Sequence, residues 1–152
     1  MTNMIEFDKN SEFYNLEESN NTIDFENIIL YWNTMSDNDF DTMIDLYTMK
    51  RNNWALFIGH LVIEKLLKAI YVKNNKKHPP LVHDLLKIAL KASLNLDNDK
   101  KLFLDTITTF NINARYDDFK LAFYKKCTNE YTQEWIENIK NLRLWIKQEL
   151  MK

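Results

Sequence analysis

Between residues 111 and 126 the chain reads NINARYDDFKLAFYKK, setting Arg115, Tyr116, Asp117 and Asp118 side by side where a helical pattern loses its period. An arginine, a phenol and two carboxylates gathered where a helix loses its period form either the working end of the protein or a well-bonded joint between two helices. A second group, His60, Glu64, Lys65 and Lys68, lies on a strongly apolar segment. Positions 60, 64 and 68 are four apart and share one face of a helix. Charges among apolar neighbours are costly unless paired. Two readings of this group stand. In one, Glu64–Lys68 is an intrahelical ion pair and His60 a hydrogen-bonded core histidine. In the other, the same residues contribute to a ligand site, with Lys68 or Arg115 as the partner of Glu64.

Other chemistry finds little support. The three histidines and single cysteine do not cluster as zinc ligands, and the Glu-x-x-His motif of di-iron bundles is missing. One glycine cannot build the phosphate loops of dinucleotide or nucleoside-triphosphate enzymes. No metal and no cofactor is expected. Cys127 reads as an inert thiol, and a lone cysteine leaves no internal disulfide. The acidic residues Asp37, Asp39, Asp41 and Asp45 lack the Gly-centred turn of a calcium loop and read as solvated acids. A formal charge of −2 disfavours sequence-independent nucleic-acid binding by the whole domain. Two local basic clusters, Lys73–Lys76–Lys77–His78 and Lys125–Lys126, read as solvated surface.

The elements that must position these groups are helices. With 45% hydrophobic residues, one glycine and two prolines, the chain has a core to bury and few chain breakers. Residues 1–22 form a polar arm without the basic and apolar regions of a signal peptide, and residues 23–152 form one domain. A first helical pattern runs from Asp24 to Lys50, with one slip in period around Ser36–Asn38. The second, Asn53 to Lys73, is apolar nearly all round: Trp54, Ala55, Ile58, Leu61, Val62, Leu66, Ala69 and Ile70 make its wide face. Gly59, in mid-helix, implies close approach of another backbone, within the fold or across a dimer face. Pro79 and Pro80 hold an extended loop, and a third helix begins near His83 with Asp84 in its first turn. A fourth carries Leu102, Phe103, Thr106, Ile107 and Phe110 on one stripe. A short helical piece spans about 119–125, and the last helix starts near Thr132 with Trp135, Ile139, Leu142, Ile146 and Leu150 in step. The fold class is all-α, an up-and-down four-helix bundle with an additional short helix. No apolar run is long enough to span a bilayer, so a soluble protein is expected, and the single cysteine suits a reducing cytoplasm.

Three stretches in order, HLVIEKLLKAIYV at 60–72, PPLVHDLLKIA at 79–89 and FNINARYDDFKLAFYKKCTNEYT at 110–132, resemble the HEPN domain family of helical bundles. They match its Glu-Lys-x-Leu-Lys-Ala helix, its Pro-x-x-His-Asp-Leu helix start and its Ala-Arg-Tyr-Pro-Asp signature, over about residues 24–150. The resemblance implies a homodimer, often encoded beside a minimal nucleotidyltransferase, many such pairs being toxin–antitoxin systems; other relatives bind nucleotides. Ribonuclease members follow the arginine, four to six residues later, with a histidine that carries protons in metal-independent RNA cleavage. Here that window holds Phe119, Lys120 and Leu121, and every histidine precedes Arg115. Asp117 also stands where the family has proline.

The expectation is therefore a module that binds a nucleotide, RNA or a nucleotidyltransferase partner, without nuclease activity. Its motif residues are Arg115, Tyr116, Asp118, Glu64, Lys65, Lys68, His60, His83 and Asp84. The alternative is a metal-independent RNase in which Arg115 holds phosphate and His83, His60 or Lys120 stands in for the histidine, a histidine coming from elsewhere in the dimer. A third reading makes Arg115 a structural residue, ion-paired to Glu64 or Asp118. Gly59 and the apolar surface of the second helix are the candidates for a dimer face.

Overall fold

The computed structural model describes residues 23–152; the polar arm at 1–22 lies outside the described residues. Six helices follow one another: α1 (Phe25–Thr48), α2 (Asn52–Asn75), α3 (Leu85–Lys91), α4 (Asn98–Asn113), α5 (Asp117–Lys126) and α6 (Asn129–Met151). Four are long and two short, and the described residues contain no strand, as an all-α bundle requires. The bundle is organised around α2, which touches each of the other five helices. Its Ala55, Leu56, Val62, Ile63, Leu66, Leu67 and Ala69 are fully buried. A helix in that position can be apolar nearly all round because every face meets another helix.

Short side chains set the helix spacing. The slip at Ser36–Asn38 lies where α1 crosses α2: Ser36 is fully buried, and its hydroxyl donates to the Val62 carbonyl at 2.8 Å. Gly59 serves α6 and α1 through side chains, not through a backbone and not through a dimer face. A Cβ there would lie 2.5 Å from Ile139 Cδ1 and 3.1 Å from Met43 Sδ. With its one glycine committed in mid-helix, the chain turns with left-handed non-glycine residues at Lys50 (φ 59°), Lys76 (φ 53°) and Ser93 (φ 61°). Each such residue costs roughly 1–2 kcal/mol, which the surrounding packing offsets.

The helix starts carry their own acceptors. Asp24, Asp84, Asp97 and Thr128 cap α1, α3, α4 and α6, each side chain accepting from a backbone N–H three residues on. Asp84 is therefore a cap preceding the helix rather than a first-turn charge. With Thr128 as its cap, α6 starts at Asn129, three residues before the expected start near Thr132, because the Thr128 hydroxyl accepts from Tyr131 N. The C-terminal ends of α2 and α3 are tied to each other, since Asn74 and Asn75 donate to the carbonyls of Ala92 and Lys91.

Several surface expectations change. Leu102 is 63% exposed and Leu104 takes its place in the core; Trp54 is 41% exposed at the first turn of α2. Lys73 does not lie in a solvated basic cluster: its ammonium donates to the Leu150 carbonyl at 2.8 Å, capping the negative end of α6. Asp39 pairs with Lys65, and Asp37 takes Lys147 at 2.7 Å and Arg143 at 3.0 Å, so these two acids tie α1 to α2 and α6. Burial alone would raise the Asp37 carboxyl, but the hydrogen bonds and charges of Lys147 and Arg143 outweigh it and hold it below the usual range. Phe103, Phe110 and Phe123 cluster with Trp135, the rings meeting edge-on or tilted at 5.5–5.7 Å. Cys127 is buried, and burial pushes its thiol up to about 12. No helix among the described residues is long and apolar enough to cross a membrane.

Candidate functional site

The four-residue spacing of α2 puts His60, Glu64 and Lys68 in a row, and all three are buried. The extended loop brings His83 to them as the chain enters α3. His60 Nε2 donates to the His83 carbonyl at 3.0 Å, and His83 Nδ1 donates to Glu64 Oε1 at 2.6 Å. The other carboxylate oxygen of Glu64 is 3.4 Å from the Lys68 ammonium, which also lies 5.3 Å from the centre of the Trp32 ring. One carboxylate thus serves two donors, which is how its charge is tolerated out of water.

The two histidines differ in their surroundings. His60 has no exposed surface, and its Nδ1 lacks a hydrogen-bond partner. Burial holds its imidazole below the ordinary range; the His83 carbonyl and Glu64 oppose this, and the charges of His83 and Arg115 reinforce it. His60 is therefore the neutral residue that anchors the loop. His83 has a side chain 63% exposed. Its ring is oriented by the buried carboxylate through Nδ1, so Nε2 is the nitrogen turned to solvent.

Arg115 follows the last turn of α4. Its Nε donates to the Asn111 carbonyl at 2.8 Å, and its guanidinium carbon lies 5.6 Å from the centres of the Phe57 and Tyr116 rings. Among the described residues no carboxylate lies within ion-pair distance of it. Glu64 is taken by His83 and Lys68, and Asp118 is exposed at the start of α5. The arginine is accordingly not a buried ion-pair residue. It is a cation held on one side by a carbonyl and two rings, with its terminal nitrogens open. Its charge is felt at His60, which places it in the same neighbourhood as the Glu64–His83 pair.

The structure thus gathers His60, Glu64, Lys68 and His83, with Arg115 and Tyr116 beside them. Lys65 goes to Asp39, Asp84 to the cap of α3, and Lys120 to an exposed pair with Asp117 at 3.5 Å. Phe119, Lys120 and Leu121, in the window after Arg115, are all exposed. Sequence reasoning missed Phe57, Asn111 and Trp32. Asn111 stands four residues before Arg115 and so had a helical signal; Phe57 and Trp32 come from other helices and had none. Among the described residues no group of three or more His, Cys, Asp or Glu is placed to hold a metal ion. A surface cleft of about 350 Å³ between α4 and α6, walled by Lys100, Phe103 and Trp145, shares no residue with this cluster.

Comparison with known proteins gives one match: the family model described as HEPN domain covers residues 29–150, a span that includes every residue of the cluster. No curated protein and no solved structure matches the chain.

Proposed function

The chain belongs to the HEPN domain family, and from that premise we propose that it is a homodimeric binding module that grips a phosphate-bearing ligand, a nucleotide or RNA, through Arg115. The observation that carries the reading is the state of Arg115: oriented by Asn111, Phe57 and Tyr116, yet paired with no carboxylate among the described residues. An arginine kept for fold stability would be expected to have an anionic partner; one kept for an anion that arrives from outside would not. The module acts beside a minimal nucleotidyltransferase partner, as the HEPN half of a toxin–antitoxin pair.

The test is a titration of nucleotides and short RNA followed by melting temperature. The wild type is expected to gain stability with ligand. Arg115→Ala is expected to fold, with a melting temperature close to that of the wild type, and to lose the response. A wild type unmoved at millimolar ligand, or an Arg115→Ala variant that binds equally well, would sink the reading.

One observation favours a second reading, a metal-independent RNase. The Glu64–His83 pair at 2.6 Å orients an exposed imidazole in the neighbourhood of Arg115, supplying in another position the proton carrier that the motif lacks. Incubation with labelled RNA in chelator decides it. Cleavage that disappears in both His83→Ala and Arg115→Ala supports the nuclease; no cleavage by wild type leaves the binding module alone.

A further inference from the structure

The cleft between α4 and α6 shares no residue with the polar row of α2 or with the surroundings of Arg115, and it holds polar groups that the fold itself does not use. Its α4 wall carries Asp99, Lys100 and Phe103. Its α6 wall carries Asn138, Asn141 and Trp145 at i, i+3 and i+7, one stripe of the helix, above the buried Leu142. A volume of about 350 Å³ is at the small end of ligand pockets, which run from about 300 to 1,000 Å³. The space suits one side chain and not a whole nucleotide.

Some of these groups are satisfied within the chain and some are not. Lys100 is satisfied: its ammonium pairs with Asp97 at 2.7 Å and lies 4.9 Å from the centre of the Trp145 ring. Asp99 has no ion pair among the described residues, and the carboxamides of Asn138 and Asn141 have no hydrogen-bond partner there. One carboxylate, two carboxamides and the aromatic walls are therefore left open. Asp97 and Asp99 at the rim against Lys100 alone leave the cleft negative, so it repels the phosphates that Arg115 attracts. The position of Lys100 shows that the face of Trp145 is already a seat for a cation.

We propose that this cleft receives the guanidinium of an arginine displayed by a partner protein. The group is planar and weakly hydrated, so it stacks on the rings of Phe103 and Trp145. Its five donors match the acceptors left open: the two oxygens of Asp99 and the amide oxygens of Asn138 and Asn141. A lysine ammonium is compact and strongly hydrated, with three donors and no flat face, and it fits these walls less well. A neutral ring would leave Asp99 without its counter-charge. The inference is independent of the phosphate-binding role proposed for Arg115.

Nuclear magnetic resonance on the full chain tests it, following the indole N–H of Trp145 and the side-chain amides of Asn138 and Asn141 as a capped Gly-Arg-Gly peptide is added. These signals are expected to move together and to saturate in the millimolar range, as suits one side chain taken out of its protein. The same peptide with citrulline, which keeps the shape and loses the charge, should leave them in place, and with lysine it should bind more weakly. Asp99→Asn is expected to weaken binding by roughly tenfold or more, since it removes a charge-assisted pair. Lys100→Gln is expected to tighten it by roughly two- to fivefold, because Asp97 and the face of Trp145 are then free for the arriving cation. Circular dichroism checks that both variants fold. Arg115→Ala should bind the peptide as the wild type does, which separates a failure here from a failure of the phosphate-binding reading. The proposal is overturned by signals that stay still at the highest soluble peptide concentration, or by a citrulline or lysine peptide that binds as well. An Asp99→Asn variant of unchanged affinity, or a Lys100→Gln variant with no gain, overturns it equally.

Discussion

Replacing Glu64 by glutamine keeps the shape of the side chain and removes the charge on which the polar cluster of α2 depends. The Lys68 side chain is 8% exposed, and with Glu64 neutral its ammonium retains only the Trp32 ring at 5.3 Å. Breaking a buried pair from one side costs about 3–5 kcal/mol, because the remaining charge is left without compensation. The lower end applies here, since the contact is 3.4 Å long and the lysine stem can carry its head toward water. The exposed His83 adds less, about 0.5–1 kcal/mol. Glu64→Gln is therefore expected to destabilise the domain by about 3 kcal/mol, a loss of roughly 10 °C in melting temperature for a domain of this size. Lys68→Met in the Glu64→Gln background should recover most of that loss, since it removes the orphaned charge and leaves an apolar stem in an apolar place. Urea unfolding of the wild type, both single variants and the double variant measures the coupling. A Glu64→Gln protein within about 0.5 kcal/mol of wild type, or a double variant no better than the sum of its singles, would refute the account of a buried charge balanced by a single carboxylate.

Three further outcomes follow from the packing. The folded-state basicity of His60 is depressed by burial, so the unfolded chain takes up a proton near pH 6.5 that the native state refuses; unfolding free energy should fall as pH drops below that value, by up to about 1.4 kcal/mol per pH unit, and His60→Gln should flatten this slope. Cys127, its thiol pushed up to about 12 by burial, should resist an aromatic disulfide reagent at pH 8 in the native protein and react at once in denaturant; rapid native reaction would contradict its buried position. Gly59→Ala gains about 1 kcal/mol of helix propensity but presses a methyl to 2.5 Å from Ile139 Cδ1, an overpacking cost of about 1–3 kcal/mol. Ile139→Val, which deletes that atom and should destabilise wild type, is expected to be neutral or stabilising in the alanine background, as read by urea unfolding.

What the sequence made legible was whatever repeats along a helix. The apolar steps of α2 and α6, and the four-residue spacing of His60, Glu64 and Lys68, are legible without the fold, and that spacing alone makes Lys68 a candidate partner of Glu64. What failed needed the third dimension. Leu102 fits the stripe of α4, yet that helix buries Leu104, because the stripe of a helix packed on only one side is narrower than its run of apolar residues. Asp37 and Asp39 carry no local sign that Arg143, Lys147 and Lys65 wait on other helices. The loop residue His83 was recognised from its motif, but its ring could be matched to Glu64 only once the loop was folded back on α2.

The same reasoning assigns different meanings to the two charged segments that looked alike in the sequence. On α2, charges amid apolar residues are closed off: each buried ionic group there has its partner within the chain, so the cluster can be understood without a ligand. At Arg115 and along α5 the reverse holds. The guanidinium is oriented but unpaired among the described residues, and the acidic and basic ends of α5 are too far apart on one helix of 10 residues to neutralise each other. At about 1.5 Å per residue they stand roughly 12 Å apart, beyond a Debye length at ordinary salt. Charges so placed gain little for the isolated fold. On the function proposed above, the surface that meets a ligand is therefore the α4–α5 junction, where Arg115 is oriented and unpaired among the described residues, rather than the polar row of α2.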